Sequence, residues 1–253
     1  MVVSCRGDVL ASWSIQLSLM YAELYCWCAC IDYKVSLMNW QEFTALFVLA
    51  TAMSFSPGPN TTLSTALAAN YGLKRSMRFV CAVPVGWGLL LTLCVFGLGA
   101  LLLAVPLLTI AVKAIGVGYL LYLAFKLLNW GQIPINSNAS SNASSNPQEG
   151  VNKLNITFVH GVAMQFVNIK AWMLALAIVS GWIAGRANPG ERFAIVLPLM
   201  LAFAFFSNLT YALVGALLKD WLAGPNGSGQ RLMRFNRAMA LVLVMTAFWM
   251  ATI

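Results

Sequence analysis

Apolar runs long enough to cross a bilayer recur along most of this chain, separated by short polar or basic breaks. From Met38 onward the pattern predicts six spans, at about 43–66, 80–103, 108–128, 157–182, 193–218 and 236–253. A span needs roughly 20 mainly apolar residues. Inside hydrocarbon each segment must satisfy its own backbone hydrogen bonds, which makes α-helix the economical choice. The last run is short, and slight bilayer thinning or end fraying would cover the deficit. The predicted class is an all-α integral membrane protein with six transmembrane helices.

Two segments stand apart from this pattern. Arg6, Asp8, Glu23, Asp32 and Lys34 interrupt residues 1–37, so no stretch there reaches spanning length. An unbroken apolar core with a cleavage site, as in a signal peptide, is not evident either. Residues 1–37 therefore read as an extension outside the fold, with a regulatory amphipathic tail as the alternative. The second segment, 132–152, is rich in Ser and Asn and repeats Asn-Ala-Ser-Ser. Its apolar content is too low to pack, which predicts a flexible linker between a three-helix half at 38–131 and another at 153–253. Asn138 and Asn142 match the glycosylation triplet, which such a run also produces by chance.

Composition sharpens the membrane reading. The chain is 60% hydrophobic and 9% charged, with a mean hydropathy of +0.80. Soluble domains carry roughly 25% charged residues, so most of this surface must face lipid. The net charge of +8 comes from basic residues beside apolar runs, the signature of membrane orientation rather than of nucleic-acid binding. Nine basic residues fall on one side: Lys74, Arg75, Arg78, Lys126, Lys153, Lys219, Arg231, Arg234 and Arg237. Three fall on the other, Lys113, Arg186 and Arg192. The richer side should be cytoplasmic, which places both ends of the 38–253 core outside. Three spans per half then make the halves inverted, an arrangement common among secondary transporters.

Candidate chemistry sits in two polar breaks. Span one contains Ser56-Pro57-Gly58-Pro59-Asn60, where the prolines remove backbone donors. Either the helix is broken there and helps to form a substrate site, or it simply starts late. Span four contains Gln165, Asn168 and Lys170. Lys170 lies roughly 20 Å along the helix axis, a depth at which a charge is expensive and ordinarily faces a cavity. The alternative is a lysine that snorkels outward. Gln165 and Asn168 are its expected partners. Ala52-Met53-Ser54-Phe55 aligns with Ala163-Met164-Gln165-Phe166 just before the two breaks, and paired interruptions in inverted halves point to a transporter site. Asn208 and Tyr211 share one helix face in span five, as substrate contacts or as interhelical glue. His160 and the cysteine run Cys26, Cys28 and Cys30 suggest no more than an interfacial histidine and chance spacing, against proton shuttling and metal binding respectively. No metal or cofactor is expected.

These motifs together resemble the LysE/RhtB amino-acid exporters. Ser56-Pro57-Gly58-Pro59-Asn60 is similar to the family's first-helix signature, followed by its basic loop at 74–78. Gly116, Tyr119, Leu120, Leu123, Ala124 and Lys126 resemble its third-helix pattern. Gln165-Phe166-Val167-Asn168 with Lys170 resembles the cysteine and O-acetylserine exporter branch most, and Asn208, Tyr211, Gly215, Asn236 and Ala240 fit it loosely. Many members carry Asn-Pro-Lys where this chain has Asn168-Ile169-Lys170, which implies a milder break here. Segments 1–37 and 132–150 have no clear family counterpart.

The resemblance implies export of a small neutral amino acid or derivative, with Pro57, Gly58, Pro59, Asn60, Gln165, Asn168, Lys170, Asn208 and Tyr211 forming the substrate site. Proton coupling is expected, and with no Asp or Glu inside any span Lys170 is the most available carrier. The competing reading is a passive channel or a structural membrane subunit. An enzyme is disfavoured, because the spans hold no Gly-x-Ser nucleophile, paired aspartates or His-Glu metal motif. Expected partners are the substrate and membrane lipid, without nucleic acid, in a bacterial inner membrane, and a homodimer is left open. Reporter fusions at Asn142 and at the C-terminus should read cytoplasm and periplasm respectively, and a chain begun at Met38 should insert and export normally. A cytoplasmic C-terminus would refute the count or the orientation.

Overall fold

The computed structural model describes residues 38–129, 157–224 and 229–252. The extension 1–37, the linker 132–152 and Cys5, Cys26, Cys28 and Cys30 lie outside the described residues. Among the described residues there is no strand.

The first predicted span is two helices, α1 (Trp40–Phe55) and α2 (Pro59–Tyr71). A residue before proline is pushed out of the helical region, and Ser56, ahead of Pro57, is extended at φ −72° and ψ 141°. Pro59 then opens α2 at its first position, where a missing N–H is no loss. Thr61 closes the junction: its Oγ1 accepts from Gly58 N at 2.9 Å and donates to Gly58 O at 3.0 Å.

Next come α3 (Leu73–Val95), the short α4 (Leu98–Ala104) and α5 (Pro106–Leu128). The fourth span is α6 (Phe158–Val167) and α7 (Ile169–Ile178), bent by 68° and followed by a π-helical turn at Val179–Ile183. The bend is sharp although no proline stands there. Asn168 takes an extended conformation there although Ile169 retains its N–H. The chain ends in α8 (Pro189–Ala223) and α9 (Gln230–Thr252).

Several boundaries move outward from the predicted ones. α3 begins at Leu73 and α9 at Gln230, so Lys74, Arg75, Arg78, Arg231, Arg234 and Arg237 lie inside helices rather than in loops. Lys and Arg are good helix formers, and a helix can carry them past the membrane edge. α9 therefore has 23 residues and no deficit in length. α8 has 35, roughly 52 Å at 1.5 Å per residue. Among the described residues four helices are long and apolar enough to cross a membrane, α3, α5, α8 and α9, and the count is five if the bent α6–α7 pair is one span. The α1–α2 pair is split into 16 and 13 residues and does not enter that count.

The bundle interleaves the two parts of the chain. α2 packs on α8, and α6 packs on α3. Both contacts bring backbones together at a glycine. Gly215 of α8 lies against the Thr65 carbonyl of α2, where a Cβ would collide with the oxygen. Gly86 of α3 lies against the Val162 carbonyl of α6, and a Cβ would sit 2.6 Å from it. Small residues at such crossings are the usual means of close packing in lipid.

Two large apolar clusters result, beside a small one of Ala68, Val80 and Ala212. One gathers Leu46, Ala50, Trp87, Leu90, Ile178, Val196 and Met200. The other gathers Leu63, Phe79, Val83, Leu123, Met164 and Leu243. Many large apolar side chains point away from both, including Leu107, Leu217 and Phe248, as lipid-facing residues must. At the end of the bundle bearing the α1 N-terminus, Glu42 pairs with Arg186 and Arg192, each at 3.0 Å. Trp182 Nε1 donates to Glu42 O at 2.8 Å, tying α1 to the π-helical turn.

The glycine contacts give a direct test. Gly86→Val and Gly215→Val should each destabilise the protein by roughly 1–3 kcal/mol through overpacking, read as a lower melting temperature on fluorescence-detected gel filtration. Gly118→Val should not, because open space surrounds Gly118.

Candidate functional site

A helix interrupted inside a membrane leaves carbonyls that water cannot reach, and each needs a donor. At the first break, Phe55 O accepts from Tyr211 Oη at 2.7 Å. Ser56 O accepts from Lys170 Nζ at 2.9 Å, and Ser56 Oγ lies 2.7 Å from the same nitrogen. At the second break, Phe166 O accepts from Trp172 Nε1 at 2.7 Å. Lys170 is thus turned toward span one, and its partner is Ser56 rather than the expected Gln165 and Asn168.

Gln165 is fully buried and does a different job. Its carboxamide exchanges two hydrogen bonds with Asn60, at 2.9 and 3.2 Å, and donates a third to Gly161 O at 3.1 Å. This clamp joins α2 to α6. Asn208 accepts from Ser64 Oγ at 2.9 Å, joining α8 to α2. A reciprocal pair between Asn70 and Asn236, at 2.8 and 3.1 Å, joins α2 to α9. These carboxamides are paired across helices, whereas hydroxyls such as those of Thr51, Thr92 and Thr210 bond back to their own helix four residues earlier.

Between the two apolar clusters lies a cavity of about 60 Å³. Gly58, Pro59, Asn60 and Thr61 line it from the first break, and Asn168, Lys170 and Ala171 from the second. Asn208 and Ser207 add polar groups, and Val83, Trp87, Leu174 and Met200 supply apolar walls. The N-termini of α2 and α7 both open on this space, and each carries partial positive charge. Lys170 adds a full one. No Asp or Glu is among the described residues lining the cavity.

A second, more open cavity of about 470 Å³ also borders Lys170. Met53, Ser56 and Pro57 line it, with Val242, Met245, Thr246 and Trp249 of α9 opposite. Lys170 and Met53 border both spaces. A Cβ on Gly58 would lie 3.2 Å from Lys170 Nζ, so a larger residue there would crowd the ammonium.

Of the nine residues expected in the site, Gly58, Pro59, Asn60, Asn168, Lys170 and Asn208 meet at the smaller cavity, and Pro57 lines the larger. Gln165 and Tyr211 line neither and instead hold the breaks in place. Sequence reasoning missed Ser56, Ser207, Trp87 and Met200. Ser56 had a signal, since it is the residue Pro57 forces out of the helix. Trp87, flanked by Gly86 and Gly88 in a charge-free stretch, had another. Met200 had none. His160 is exposed, and its Nδ1 lies 2.6 Å from Thr157 Oγ1 at the start of α6, away from both cavities.

The family model described as LysE type translocator matches residues 51–252. Proteins named cysteine/O-acetylserine efflux protein from Escherichia coli, Shigella flexneri and Shigella sonnei are each 24% identical over 206 residues, covering 81% of this chain and 92% of theirs. No solved structure matches the chain. The match runs from the end of α1 to the end of α9 and takes in both breaks and the cavity between them: this chain is a multi-pass membrane protein of the LysE type translocator family.

Proposed function

We propose that this chain exports a small neutral amino acid or derivative, of the cysteine or O-acetylserine kind, across the inner membrane by secondary-active transport. In this reading α1–α2 is a sixth, broken span. The halves 38–131 and 153–253 are inverted about the linker 132–152, and both ends of the core face the periplasm. The relatives' printed names and the family match support the substrate class.

One observation carries the reading. Lys170 borders a small cavity onto which two helix N-termini open, and no acidic residue lines it among the described residues. Such a site attracts an anion of carboxylate size. Among the described residues Lys170 is held by neutral oxygens of Ser56 alone, so a substrate carboxylate is a stronger partner than its present one. Apolar walls at Trp87, Leu174 and Met200 restrict the rest of the ligand to a short side chain. Coupling to the proton gradient would use the same lysine, the ionisable group that borders both cavities.

Lys170→Met removes the charge while keeping most of the volume. It leaves Ser56 O without its donor but also relieves the cost of burying an ammonium, so the protein should reach the membrane at normal abundance. Counterflow of labelled cysteine in membrane vesicles should fall by roughly tenfold or more, the scale of one charged hydrogen bond. Lys170→Arg should retain partial activity, because a forked guanidinium is wider than an ammonium. A well-inserted Lys170→Met protein with wild-type counterflow would remove Lys170 from the site. Loss of trans-stimulation in the native protein would identify a channel.

A further inference from the structure

Three carboxamides line the smaller cavity, those of Asn60, Asn168 and Asn208. Asn60 Oδ1 accepts from Gln165 Nε2 at 3.2 Å, and Asn208 Oδ1 from Ser64 Oγ at 2.9 Å. Asn168 is 5% exposed, and its Oδ1 is buried without a donor among the described residues. A buried acceptor with no donor bears the full cost of its lost hydration. Such a group is uncommon in a settled structure.

The obvious local use of this side chain is not made. Asn168 is the N-cap of α7, where an asparagine ordinarily turns its oxygen onto an amide of the first turn. Here the side chain makes no cap bond, and the backbone carbonyl alone accepts from Ala171 N at 2.9 Å. The Oδ1 acceptor is thus unused among the described residues, and its residue borders the cavity.

We propose that Asn168 receives the α-ammonium group of the transported molecule, so that the cavity recognises a zwitterion at both ends. The inference rests on Lys170 as the carboxylate partner. Asn168 and Lys170 are two positions apart at the start of α7, and both border the cavity. The carboxylate and ammonium of an α-amino acid sit on one carbon, so a carboxylate on Lys170 brings the ammonium within reach of its neighbour. A helix N-terminus by itself repels a cation, but the carboxylate arriving with it offsets that field. A hydroxyl or thiol on the substrate could also donate. The ammonium is favoured because a charged donor makes a bond roughly twice as strong.

Equilibrium binding to purified full-length protein in nanodiscs, under reducing conditions, tests the assignment with three probes. They are L-cysteine, 3-mercaptopropionate, which lacks the ammonium, and cysteamine, which lacks the carboxylate. Wild-type protein should bind cysteine roughly tenfold or more tightly than 3-mercaptopropionate. Asn168→Leu should weaken cysteine to the level of 3-mercaptopropionate and leave 3-mercaptopropionate where it was. Its melting temperature should not drop, because an unpartnered polar group has been removed; Asn168→Ala serves as a second variant. Equal weakening of both ligands in the two variants, or no preference for cysteine in the wild type, overturns the proposal. Cysteamine reports separately on Lys170: if it binds as well as cysteine, the carboxylate reading fails, while the ammonium assignment is still decided by 3-mercaptopropionate. Absence of saturable cysteine binding overturns both.

Discussion

A backbone carbonyl released inside a membrane has no water to turn to, and the architecture of this protein is organised around donors for such groups. Pro57 and the bend at Asn168 free carbonyls at Phe55, Ser56 and Phe166. Their donors come from Tyr211 on α8, Lys170 on α7 and Trp172 on α7. The first two reach across from later spans, and so the first break is held shut by the fold around it. The third is local and stiffens the elbow between α6 and α7. Removing any one donor would leave its acceptor without that protein partner.

The packing shows an exchange between the two parts of the chain. α2 from the first broken pair lies on α8, and α6 from the second lies on α3, each through a glycine against a carbonyl. The Asn60–Gln165 clamp joins the two broken pairs to each other at the point where both deviate from helix. A reciprocal carboxamide pair satisfies donor and acceptor on both sides at once, which makes it a neutral fastener in a low-dielectric interior.

The sequence made some of this plain and hid the rest for identifiable reasons. Proline, glycine and a lone lysine contrast with an apolar run, because each is costly at that depth, so the breaks and Lys170 were visible. The partner of Lys170 was not. The 68° bend redirects the first turn of α7, and neighbours inferred from straight-helix spacing no longer apply. Gln165 and Tyr211 looked like ligands because polarity alone cannot separate a fastener from a binding group; their partners lie 105 and 156 residues away. Helix ends were misjudged where basic residues extend a helix past the membrane. Met200 is apolar within an apolar helix and carries no contrast, so that wall of the cavity could be seen only in three dimensions.

The contact between Lys170 and Ser56 also bears on how the two broken helices move relative to each other. Both oxygens that meet the ammonium come from one residue of the neighbouring break, at 2.9 and 2.7 Å. A displacement of α7 away from the α1–α2 junction would break both bonds at once and leave a buried ammonium unpaired, which is costly. The charge therefore resists any motion that parts the two breaks and tolerates one that carries them together, so the pair of elbows behaves as a single hinge.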